Sequence, residues 1–113
     1  MKIIEVNEGP KIDYSVRSTK ITFDDELMLN LAKYEQDDPV SIDICADING
    51  NLTTTVSKRY VSQIEILARQ YIEKEIENPD YNPDDESSQE HIVVREAVPF
   101  SMDNVTLKLY SLE

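Results

Sequence analysis

Glycine, cysteine, histidine and tryptophan are scarce in this chain of 113 residues, with two glycines, one cysteine, one histidine and no tryptophan. Each shortage excludes something. With only Gly9 and Gly50, no glycine-rich loop can wrap a phosphate group. With Cys45 alone, no internal disulfide can form. Cys45 and His91 together fall short of the four ligands a structural zinc takes. No run of about 20 apolar residues exists to cross a membrane, and the opening MKIIEVNEGPKIDYS lacks the apolar core of a signal peptide. These features point to a reducing, cytoplasmic location, the host cytoplasm if the protein is phage-encoded.

Basic residues are also few. There are 11 against 23 acidic ones, a net charge of −12. Such a surface repels nucleic acid and anionic membranes, and it attracts cations or protein partners with a basic surface. Lys58-Arg59 is the only basic doublet, so direct nucleic-acid binding is not expected.

Patterning is mostly that of strands. Val40, Ile42, Ile44, Ala46 and Ile48 alternate with Ser41, Asp43, Cys45 and Asp47, which predicts a half-buried antiparallel strand. Asn49-Gly50 then signals a tight hairpin, with Leu52–Val56 as the returning strand. Ile3, Ile4 and Val6 suit a short edge strand, Lys20–Phe23 another, and Val105–Leu112 a terminal one, with Phe100 and Met102 as packing residues. Asp24–Asp38 fits two periods. Leu27, Met28, Leu31, Ala32 and Tyr34 share a helical face, but Leu27, Leu29 and Leu31 also alternate, and the strand is preferred.

Tyr60–Glu77 is ambiguous in the same way. A helix would align Val61, Ile64, Leu67, Ile72 and Ile76, and a strand would align Ile64, Ile66, Ala68, Ile72 and Ile76. The abundance of β-branched residues favours the strand. The stretch from about 60 to 100 then reads as one long hairpin, with residues 78–90 as a flexible acidic tip and Ile92-Val93-Val94 resuming the sheet. The expectation is one domain over 1–113, all-β or β-rich, an antiparallel sandwich or open barrel. The alternative is α+β with a helix at about 60–77.

No catalytic, metal or cofactor site is expected. Cys45 sits mid-strand and His91 borders the tip, a poor basis for a nucleophile and base. Asp80, Asn82 and Asp84 match the first, third and fifth positions of a calcium loop, but Asp85 replaces its glycine and His91 its final glutamate. Acid is concentrated instead. Residues 24–38 and 73–90 hold fourteen of the 23 acidic residues. On a strand, Glu73, Glu75 and Glu77 share one face about 6.6 Å apart, close to the phosphate spacing of a nucleic-acid strand. Asp80, Asp84, Asp85 and Glu86 extend the charge, and Tyr71 and Tyr81 offer stacking contacts.

The expected function is therefore a non-enzymatic, acidic protein-binding module. In its sharper form it is an inhibitor that mimics nucleic acid in the groove of a DNA- or RNA-binding enzyme, of the kind phages and mobile elements use against CRISPR or restriction nucleases. The contact residues would be Glu73, Glu75, Glu77, Asp80, Tyr81, Asp84, Asp85 and Glu86. The alternative is a small virion, tail or assembly subunit that forms homo-oligomers through strand edges. A small-molecule-binding module is a third possibility.

Overall fold

The computed structural model describes all 113 residues, and they form an all-β protein with two short 3-10 turns. The chain divides into two compact units, Met1–Arg69 with Phe100–Glu113, and Gln70–Pro99.

The larger unit holds two sheets. The first orders its strands β1 (Lys2–Glu5), β10 (Val105–Leu109), β7 (Arg59–Ile66), β5 (Val40–Ala46) and β6 (Leu52–Thr53). Its pairings are antiparallel except for β1, which runs parallel to β10. The second is a meander of β2 (Tyr14–Arg17), β3 (Lys20–Phe23) and β4 (Leu27–Asn30). Ile21, Phe23 and Leu29 from the meander, with Leu31 from the 3-10 turn after it, join Ile42, Ile44, Ile64, Ile66, Val105 and Leu107 of the first sheet in one hydrophobic core. The layered packing follows from period-2 alternation, which gives each sheet one apolar face to cover.

β5 keeps its alternation only as far as Ile44. There the register slips, with Ile44 facing Ser62 but Cys45 facing Tyr60, so Val61 is an extra residue on β7, a β-bulge. As a result Ile44, Cys45 and Ala46 are all buried in succession, and so are Val61 and Ser62. The buried Ser62 hydroxyl is satisfied by donating to the Lys108 carbonyl at 2.8 Å. Ile48, expected on the inner face, is 77% exposed. The strand has already ended, and the Asp47 carboxylate accepts the backbone N–H groups of Asn49 and Asn51 at 2.9 Å each. Gly50 turns the chain at φ 81°. The returning strand β6 is only two residues long.

The segment 24–38 combines a strand, β4, with a 3-10 turn at Leu31–Lys33. Across 60–77 the strand reading holds and the helix does not, but the segment is two strands. β7 belongs to the first sheet, and β8 (Tyr71–Glu77) pairs antiparallel with β9 (His91–Ala97) as a separate two-stranded ribbon. The hairpin therefore spans 71–97 rather than 60–100. The break at residues 67–70 has a tertiary cause. Arg69 donates its backbone N–H to the Gln36 carbonyl at 2.7 Å, and its guanidinium reaches the Glu35 carbonyl and the Glu35 and Asp37 carboxylates.

Candidate functional site

The unit Gln70–Pro99 carries nine acidic and two basic residues, a net of −7 out of the chain's −12. None of its residues is buried. Its two faces differ, because side chains alternate along each strand and the register fixes which of them meet. The odd-numbered face pairs Tyr71 with Ala97, Glu73 with Arg95, Glu75 with Val93 and Glu77 with His91. The even-numbered face pairs Ile72 with Glu96, Lys74 with Val94 and Ile76 with Ile92.

The expected glutamate row is therefore present on one face, and it has company that the local sequence does not reveal. Arg95 lies directly across from Glu73 and sets its guanidinium 4.1 Å from the centre of the Tyr71 ring, a cation–π contact. His91 Nδ1 stands 3.9 Å from Glu75. Both pairings depend on register across the tip. On the even face, Lys74 Nζ lies 3.8 Å from Glu96.

The tip, residues 78–90, is built from three successive turns. Asn78, Asn82 and Asp85 accept, through a side-chain oxygen, the backbone N–H of Asp80, Asp84 and Ser87 at 2.9, 3.1 and 3.0 Å. Their carbonyls accept the N–H groups of Tyr81, Asp85 and Ser88, each at 3.0 Å. Pro79 and Pro83 take the second position of the first two turns, where a fixed φ fits. The base of the tip is closed by Asn78, whose N–H donates to the Glu90 carbonyl and whose side-chain amide donates to the Gln89 carbonyl, both at 2.8 Å. Two Ser87 groups, its hydroxyl and its N–H, donate to the Asp85 carboxylate and lower its pKa. The remaining expected contact residues, Asp80, Tyr81, Asp84 and Glu86, are exposed on these turns.

The second acidic window lies in the larger unit, and three of its six acids, Glu26, Glu35 and Asp37, engage Leu52 or Arg69. Glu26 accepts the Leu52 N–H at 2.7 Å. Glu35, with its side chain 7% exposed, pairs with Arg69. Cys45 is fully buried in β5, while His91 is exposed on β9. No group of three or more His, Cys, Asp or Glu side chains is arranged to hold a metal. The Asn82 side-chain oxygen, third in the calcium-like pattern, is engaged by the Asp84 N–H. Surface depressions of about 230 to 270 Å³ lie beside Asp13 and Asp24, beside Ile48 and Lys58, and beside Val40 and Leu67, with neither Cys45 nor His91 among their linings.

A tyrosine pair was not anticipated from the sequence. Tyr60 and Tyr110 place their ring centres 6.0 Å apart. Partial desolvation, with smaller effects from Asp43, Cys45 and Tyr110, raises the Tyr60 pKa. Comparison with protein-family models, curated proteins and solved structures found no match for this chain.

Proposed function

We propose that the chain is a non-enzymatic protein-binding module whose working part is the β8–β9 ribbon, offered through its acidic face and tip to a partner with a basic surface. The observation that carries this reading is the concentration of charge: −7 of −12 on a unit with no buried residue. A ribbon of this kind gives a basic groove a row of anions in place of a nucleic-acid backbone, so the sharper form is an inhibitor of a DNA- or RNA-binding enzyme from a phage or mobile element. Glu73, Glu75 and Glu77 supply the row. Asp80, Asp84, Asp85 and Glu86 supply the tip, and Tyr81 an aromatic contact.

The test is affinity capture from the native host at low and high salt, followed by measurement of the isolated complex. Binding is expected to weaken about tenfold or more between 50 and 200 mM salt, as for contacts that replace several phosphates. Reversing Glu73, Glu75 and Glu77 to lysine is expected to abolish it. Binding that ignores salt rejects the mimic.

A second reading, a subunit of a larger assembly, is favoured by the open strand edges of the ribbon and of β1 and β6. Light scattering separates the two, since a ring or large oligomer supports the subunit and a monomer or dimer supports the inhibitor.

A further inference from the structure

The even-numbered face of the ribbon carries Ile72, Ile76, Ile92 and Val94 around a single ion pair, Lys74 with Glu96. Ile72 is 52% exposed, and the other three are half-buried. The hydrophobic core, and the side chains packed on it, come wholly from residues outside 70–99. An isolated two-stranded hairpin is marginal in water, and a contiguous aliphatic face on a soluble protein marks a contact surface.

We propose that a second copy of this chain covers that face, with two ribbons packed face to face about a two-fold axis parallel to their strands. Charge restricts where a second copy can dock. The odd face and the tip hold eight acids against Arg95, whereas the even face sums to zero. A like-charged copy can approach only over the neutral face, while a basic partner is drawn to the other one. Charge also selects the axis. A two-fold axis across the strands through the central Lys74–Val94 rung would stack Lys74 on its own copy. The strand-parallel axis lays β8 on β9 of the second copy, setting Lys74 over Val94 and, across the gap of about 10 Å between facing sheets, one ladder step of about 6.6 Å along the strand from Glu96 of that copy. The lysine and glutamate side chains, both reaching into the gap, together bridge that separation, so the face is complementary to itself, as an isologous contact requires. The face is small. Two strands of seven residues cover a few hundred Å², below the roughly 800 Å² per partner of a stable interface. The dimer is therefore weak, with a dissociation constant on the order of 0.1–1 mM.

This assignment goes beyond the basic-partner reading and is tested on the purified full chain with no partner present, so either can fail alone. In sedimentation equilibrium, the average mass is expected to climb toward twice the monomer as concentration rises from about 10 μM to about 2 mM. Ile76→Ser with Ile92→Ser is expected to hold it at the monomer, with circular dichroism confirming that the variant is folded. Lys74→Glu alone and Glu96→Lys alone are each expected to weaken association about tenfold, and an equimolar mixture of the two to restore it. An ion pair within one chain cannot produce that restoration. A monomer at every concentration, association that survives the serine substitutions, or a mixture no tighter than its components would overturn the proposal.

Discussion

The two glycines do different work. Gly9 sits at φ 126°, and a β-carbon there would overlap the Ser111 side chain, whereas Gly50, at φ 81°, has open space around it. Gly9→Ala is therefore expected to cost about 2–3 kcal/mol, combining strain with a steric clash, and Gly50→Ala only about 1 kcal/mol. Denaturant unfolding of the two variants measures the difference. In the tip, Asp85 has a folded pKa below the usual aspartate value of 3.8, chiefly through the Ser87 hydroxyl and then its N–H. A depressed carboxylate pKa contributes stability above the unfolded value and loses it as pH falls through the folded one. The third turn is thus expected to loosen on acidification below about pH 4. In an NMR titration, Ser87→Ala should move the Asp85 midpoint upward, toward that of an ordinary aspartate. These turns were partly legible, because Asn-Pro-Asp occurs at 78–80 and again at 82–84, and each Asn can accept from the N–H two residues on.

Strands with clean alternation were readable, and those shaped by distant contacts were not. Val105, Leu107 and Leu109 are buried as their spacing requires, and β5 begins where the pattern does. The slip at Ile44 comes from an extra residue on a strand fifteen or more positions away in sequence, and no local window contains it. The division of 60–77 is likewise imposed from outside, by the contacts of Arg69 with residues 35–37. Arg69→Ala is expected to destabilise the protein by about 1–3 kcal/mol, because it strands the nearly buried Glu35 carboxylate. Glu35→Gln with Arg69→Met should cost less than the two separate changes added together. Chemical denaturation of the four forms closes that cycle.

For the whole molecule, the β-rich class and the acidic windows could be read directly, the first from alternation and turn signals and the second from composition. The two faces of the ribbon could be read only in part. The alternation of Glu73, Glu75 and Glu77 is in the sequence, but the positions of Arg95, His91 and Glu96 opposite β8 depend on how the tip sets register. The separation into two units has a consequence for stability. Because every core side chain lies outside 70–99, replacing Gln70–Pro99 with a short turn is expected to leave a cooperative unfolding transition, with a midpoint within about 5 °C of the parent. The join is short, since the Val98 N–H donates to the Gln70 carbonyl at 2.8 Å. Differential scanning calorimetry of the shortened chain reads the outcome, and a broad or absent transition would show that the ribbon supports the core.

The sheet order also sets a timetable for folding. β10, the last of these strands in the sequence, lies between β1, the first of them, and β7. Its surroundings are pinned by the Ser111 N–H to Asn7 and the Leu112 N–H to the Pro10 carbonyl. Until Val105–Leu109 has left the ribosome, the nascent chain carries a vacancy inside its main sheet, with the flank of β7 open to any passing strand. Chains truncated before residue 105 should therefore be protease-sensitive and in need of chaperones, and supplying Val105–Leu109 should close the sheet.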